Sequence, residues 1–135
     1  GLPAGVQLTI VADQVGSPTS AAFIADALTD IVSPNRHDLA AAFSAANNLV
    51  HLSASGQTSW LGFACAIVEG LKRRNISVKA QRVKPIATKD YPTKAVRPLN
   101  SRLDLSHLDR AFGIGPPSWE ALLETELDQF VAAGV

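Results

Sequence analysis

Arg97 and Arg102 flank a Pro-Leu-Asn-Ser turn in a chain where only 18% of the residues are charged. A guanidinium is a planar fork that can chelate two phosphate or carboxylate oxygens. Proline in such a loop lowers the entropy lost when the loop is ordered. Two roles are open for the pair: clamping an anion, or tying the loop to Asp90, Asp104 or Asp109. Asn100, between the arginines, offers an amide that can pair with a sugar or a nucleotide edge, whereas Ser101 and Asp104 suit turn and cap positions.

Other reactive side chains carry less. His37, His51 and His107 have no ligand-like spacing with one another or with Cys65, so a zinc site is not expected. His51 sits in an alternating apolar stretch and reads as a half-buried, hydrogen-bonded histidine. Cys65, beside an apolar helical stripe, reads as a small packing residue. A reductase-type tyrosine needs a lysine four residues later on a helix to lower its pKa. After Tyr91 that position is Ala95, and Pro92 forbids a regular helix there, so Tyr91 reads as a loop anchor. Neither a G-x-G-x-x-G fingerprint, a Walker loop nor a G-x-S-x-G elbow occurs.

The elements that must position the arginine loop are short. Gln7 to Val11, Leu49 to Ser53 and Gln81 to Ile86 read as strands. Thr19 or Ser20 is expected to cap a helix with Ile24, Leu28, Ile31 and Val32 at helical spacing, ended by Ser33-Pro34-Asn35. Residues 36–48 read as a loop with two helical turns. Trp60, Phe63, Ala64, Ile67, Val68 and Leu71 form one apolar stripe of a helix capped by Thr58, with Lys72, Arg73 and Arg74 at the negative end of its dipole. A short helix is expected from Asp104 to Phe112, stopped by Gly113. The last helix starts after Pro116-Pro117-Ser118 and turns Trp119, Leu122, Leu123, Leu127, Phe130 and Val131 inward. On this reading Trp60 and Trp119 both anchor the core, and replacing either with Ala costs about 3–5 kcal/mol. Strands alternating with helices imply an α/β fold with parallel pairing, and three short strands suggest part of a larger sheet.

Composition narrows the function. The chain has 135 residues, one domain or a piece of one, and twelve basic residues balance twelve acidic ones. No basic stripe suits a nucleic acid, and no apolar run reaches the roughly 20 residues that span a bilayer. A single cysteine fits a reducing, cytoplasmic setting.

Three ordered segments resemble a known family. They are Asp13 to Thr19 (DQVGSPT), His51 to Trp60 (HLSASGQTSW) and Arg97 to Asp104 (RPLNSRLD). Together with PPSWEALLETEL they are similar to the C-terminal part of the dTDP-4-dehydrorhamnose reductases, extended short-chain dehydrogenases, and the match covers nearly the whole chain. The resemblance implies NADH- or NADPH-dependent reduction of dTDP-4-dehydro-L-rhamnose to dTDP-L-rhamnose, used in cell-surface polysaccharides.

In that family a Rossmann domain carries the dinucleotide and the Tyr-x-x-x-Lys pair, and a smaller C-terminal domain closes over the nucleotide sugar. Residues 1–135 are therefore expected to be the C-terminal substrate-binding region. The dinucleotide domain is absent from this chain and expected upstream of Gly1. This chain alone is expected to bind a dTDP-sugar, to hold no dinucleotide and to be inactive as an enzyme. Arg97, Asn100 and Arg102 are its expected substrate-binding residues; no catalytic, cofactor-binding or metal residue is assigned. Partners are the dTDP-sugar and, by analogy with relatives, a second copy in a homodimer, but neither nucleic acid nor membrane. Ser33 to Asn48 looks longer than the family has there. The alternative reading is a non-catalytic regulatory subunit of the same fold, like that of methionine adenosyltransferase, which carries a similar R-P motif.

Overall fold

A computed structural model of the chain describes residues 5–134, with Gln81 described by its backbone alone. The order is β1 (Val6–Val11), β2 (Val15–Gly16), α1 (Ala21–Asn35), α2 (Leu39–Ser44), β3 (Thr58–Ser59), α3 (Trp60–Arg73), β4 (Ala80–Ile86), a 3-10 turn at Thr88–Asp90, α4 (Ser106–Phe112) and α5 (Trp119–Ala132). The α/β class holds. β1 pairs in parallel with β4, from Val6 opposite Ala80 to Val11 opposite Ile86, and β2 pairs antiparallel with β3. Parallel partners need a crossover, and α3 supplies it by lying against both β1 and β4.

The expected strand at Leu49 to Ser53 does not form. The backbone there finds loop and side-chain partners instead of a neighbouring strand: the Leu49 carbonyl accepts from His107 Nδ1 at 3.3 Å, and Ala54 N–H donates to Thr19 Oγ1 at 3.0 Å. Just beyond the stretch, Ser55 makes a bridge to Ser118 by donating to Pro117 O at 2.9 Å and accepting from Trp119 N at 3.1 Å. His51 is half-buried as expected, outside any strand.

Helix ends follow local chemistry. Ser20 caps α1 by accepting from Phe23 N at 3.2 Å, and α1 runs on through Pro34, which sits in its last turn. Asp38 caps α2 by accepting from Ala41 N at 2.9 Å. Ser59, not Thr58, caps α3 by accepting from Gly62 N at 3.0 Å. Asp104 lies just ahead of α4 and accepts from Ser106 N at 2.9 Å, and Gly113 ends α4 at φ 65°. Ser118 caps α5 by accepting from Ala121 N at 3.2 Å.

The core lies between α3 and α5. Ala54, Trp119, Leu123 and Leu127 are buried, with Phe63, Ala66, Ile67, Leu71 and Leu122 packed on them. Phe63 meets Trp119 edge-on, with ring centroids 6.1 Å apart. A Cβ on Gly70 would overlap Leu127 Cδ1, so the glycine sets how closely the helices approach. Gly56, at φ 78°, passes the Trp119 indole so closely that an added Cβ would lie 3.2 Å from Cδ1.

Arg74 does more than complement the helix dipole. Its guanidinium donates to Asp128 Oδ1 at 2.8 Å, to Glu124 Oε2 at 2.7 Å and to the carbonyls of Glu124 and Gly70, each at 3.1 Å. This ties the end of α3 to the middle of α5 and holds the Glu124 carboxyl below its ordinary pKa.

Two core assignments from the pattern fail. Trp60 is 58% exposed, and Phe130 also faces solvent. Trp60 is the first residue of α3, beyond the part that α5 covers, so helical phase places it correctly while the partner helix does not reach it. On α1 the buried residues are Ala27 and Ile31, whereas Ile24, Leu28 and Val32 are exposed.

The two tryptophans should separate cleanly. Trp119, 8% exposed, should cost about 3–5 kcal/mol on replacement with Ala. Trp60→Ala should cost less than about 1 kcal/mol, as a surface change does. Denaturant midpoints of the two variants check this ordering.

Candidate functional site

The three motif segments meet, and the segment after β1 is where they do so. Ala12 N–H donates to Ile86 O at 3.0 Å, continuing the pairing of β1 with β4. Asp13 then turns its carboxylate onto Thr88. Oδ1 accepts from Thr88 N at 2.9 Å and from Thr88 Oγ1 at 2.6 Å, and Oδ2 accepts from the same N–H at 3.1 Å. Gln14 Nε2 donates to Thr88 Oγ1 at 3.2 Å. The start of the arginine-bearing loop is thus pinned to the first motif. The Thr88 hydroxyl, more than any other group, holds the Asp13 carboxyl below its ordinary range.

Val15 carries the next joint. Its N–H donates to Leu99 O at 2.8 Å, and its carbonyl accepts from Ser101 N at 2.9 Å and from Ser101 Oγ at 3.2 Å. The same residue lies opposite Ser59 in the antiparallel β2–β3 pair, with Gly16 opposite Thr58. A Cβ at Gly16 would lie 2.8 Å from Ser101 Oγ, so glycine lets the first and third motifs close on each other. Ser17 Oγ donates to Gly56 O at 2.6 Å, which fixes the turn of the second motif. Thr19 Oγ1 donates to Ser17 O at 2.9 Å.

This knot encloses a cleft of about 300 Å³, lined by polar residues from each motif, among them Gln14, Ser17, Ser53, Thr58, Ser59 and Ser101. A neighbouring cleft of about 360 Å³ opens along β1 and is lined by Thr9, Gln14, Trp60, Tyr91, Thr93 and Arg97 among others. Gln14 and Trp60 belong to both.

The sequence-derived site residues divide. Arg97 is exposed and lines the second cleft, and it has neither an ion pair nor a hydrogen bond among the described residues. Asn100 and Arg102 are exposed and hold each other: Asn100 Oδ1 accepts from Arg102 N at 3.1 Å and from Arg102 Nε at 3.0 Å. Arg102 also donates through Nη1 to Gln57 Oε1, joining the third motif to the second. Among the described residues, neither arginine forms the ion pairs with Asp90, Asp104 or Asp109 that a carboxylate-braced loop would have. Tyr91 is exposed at the rim of the second cleft. Cys65 is half-buried. The sequence does not mark Gln14, Gln57 or Trp60 as site residues; the first two differ from ordinary polar loop residues only through partners distant in sequence.

Comparison with known proteins gives the family. Residues 3–132 match the family described as the RmlD substrate binding domain. The chain belongs to that family. It is 39% identical over 117 residues to the dTDP-4-dehydrorhamnose reductase of Sinorhizobium fredii, covering 84% of this chain and 37% of that relative. Its fold is similar to the crystal structure of a Clostridium acetobutylicum dTDP-4-dehydrorhamnose reductase, with a TM-score of 0.72 at 26% identity, over 93% of this chain and 39% of the other. A Bacillus anthracis dTDP-4-dehydrorhamnose reductase, solved in complex with NADP, aligns with a TM-score of 0.64 at 30% identity, over 88% of this chain and 37% of that one. The chain thus spans less than half the length of the proteins it matches. Among the described residues no helix is long and apolar enough to cross a membrane.

The Asp13–Thr88 joint has a pH signature. A carboxyl whose folded pKa is depressed stabilises the fold fully above its unfolded pKa, and that contribution is lost as pH falls through the folded value. Acidification below the ordinary aspartate value of 3.8 should therefore loosen the joint. Thr88→Val should lower the thermal midpoint at neutral pH and flatten its decline on acidification relative to the parent. Parallel melts across that range check it.

Proposed function

We propose that residues 1–135 are the C-terminal substrate-binding region of a dTDP-4-dehydrorhamnose reductase, with the dinucleotide-binding Rossmann domain on another part of a longer protein. In that protein NADPH or NADH supplies the hydride that reduces the 4-keto group of dTDP-4-dehydro-L-rhamnose to give dTDP-L-rhamnose for surface polysaccharide. This chain contributes nucleotide-sugar binding and neither the dinucleotide cradle nor the proton donor. The reading is supported by family membership and by relatives bearing that enzyme name. The open faces of β1 fit it too: Val6 and Leu8 are exposed in a parallel pair, a type of sheet that is ordinarily covered on both faces.

One observation carries the substrate assignment. Arg97 lines a cleft beside the knot of the three motifs without a protein carboxylate to pair with among the described residues. A diphosphate supplies two acceptor oxygens matched to the guanidinium fork. Arg102 serves differently: its bonds to Asn100 and Gln57 hold the loop's shape, leaving the Asn100 amide nitrogen available to a sugar or nucleotide acceptor.

Arg97→Ala should weaken dTDP-sugar binding roughly ten- to a hundredfold, as the loss of one charge-assisted contact does. Arg97→Lys should recover part of it, because a point charge lacks the bidentate geometry. The unfolding midpoint should stay unchanged. A lowered midpoint with unaltered affinity would make Arg97 a brace of the fold. The chain by itself should show no NADPH oxidation with dTDP-4-dehydro-L-rhamnose, and turnover that follows this chain through purification would refute the division of labour.

A further inference from the structure

Trp60 stands where no element of the described chain covers it. It is 58% exposed and forms a wall common to three clefts. One is the motif knot, one contains Tyr91 and Arg97, and the third is an apolar hollow beside Phe63, Trp119 and Leu122. Tyr91, at the rim of the Arg97 cleft, is also largely exposed, as are Leu99 and Leu103 on the same loop. A large exposed indole next to a second aromatic and a guanidinium is a surface arranged for a ligand that is flat at one end and anionic at the other.

We propose that Trp60 is the platform on which the base of the nucleotide sugar stacks, with Tyr91 at the edge of the same surface and Arg97 toward the diphosphate. This rests on the reading of the chain as a nucleotide-sugar binding region. A packing protein face would also cover the indole. Such a face would have to bring its own carboxylate to Arg97, because no described carboxylate pairs with that guanidinium and an uncompensated buried charge is strongly destabilising. A nucleotide meets both demands at once, base on the indole and phosphate oxygens on the guanidinium. Thr9, Gln14 and Thr93 line the same cleft beside Ile10 and Val11, so it offers polar groups next to an apolar wall, as a ligand with a base and a diphosphate requires. Stacking alone is tolerant of base identity, so this wall contributes affinity more than choice between thymine and uracil.

The two tryptophans make the test direct, because Trp119 is in the core and Trp60 is outside it. Titration of the chain with dTDP should quench its tryptophan fluorescence, and inorganic pyrophosphate should not. Trp60→Phe should abolish the quench while calorimetric affinity for dTDP stays within about fivefold, since a phenyl ring still stacks. Trp60→Ala should weaken dTDP roughly ten- to a hundredfold and leave pyrophosphate binding unchanged. If Trp60→Ala binds dTDP as the parent does while Arg97→Ala does not, the platform is wrong and the nucleotide-sugar reading survives. If the parent chain binds no dTDP, both are overturned.

Discussion

The backbone of Val15 is the joint on which the rest of the site depends. One residue uses its N–H and carbonyl to hold Leu99 and Ser101 of the arginine loop, and its short strand holds Thr58 and Ser59 on another side. Backbone hydrogen bonds fix position and direction together, and they are expensive to leave unmade where water is excluded. Gly16 suits the next position, because a Cβ there would lie 2.8 Å from Ser101 Oγ and the hydroxyl would have to turn from its place. Each residue of D-Q-V-G thus has a geometric part: Asp13 and Gln14 reach Thr88, the Val15 backbone ties two loops and Gly16 eases their closure.

That joint is mounted on a rigid block. α3 and α5 are held close by Gly70 against Leu127 and locked at one end by Arg74 between Glu124 and Asp128. Trp119 fills the other end and presses on Gly56, within the turn that Ser17 holds from the first motif. Core packing therefore passes directly into the shape of the cleft. The first turn of α3 projects beyond this block, which is why its leading residue can present an indole to the solvent without weakening the core.

The loop of residues 91–103 contrasts with this block. Its side chains are exposed, Val96 completely, and its conformation is set by the Val15 bonds and by the Asn100–Arg102–Gln57 contacts. Such a loop has small apolar burial and so little intrinsic stability, and local opening is inexpensive. The loop is thus shaped at a few points and free between them. The two arginines that looked equivalent acquire separate roles from their surroundings: one is tied into the protein, the other is left facing a cleft.

Much of this was legible in the residues themselves. Gly113, the Ser20 cap of α1, the start of α5 at Ser118 and the α5 stripe around Trp119, Leu123 and Leu127 follow from local rules of capping and periodicity, which act over a few residues and need no knowledge of the fold. The three motifs also marked which segments mattered. Periodicity, however, states only which side chains share a face, not what lies opposite. For that reason periodicity puts Trp60 and Phe130 in the core and a strand at Leu49 to Ser53, although among the described residues no neighbouring strand receives its hydrogen bonds. Likewise the pairing of Asp13 with Thr88, of Val15 with Ser101 and of Arg102 with Gln57 joins residues 45 to 86 positions apart. Only the chain's return through α3 and β4 brings those groups within bonding distance. Sequence alone determined which elements and residue types are available, and tertiary structure decided which arginine is held and which aromatic is exposed, because burial and partnership depend on distant segments.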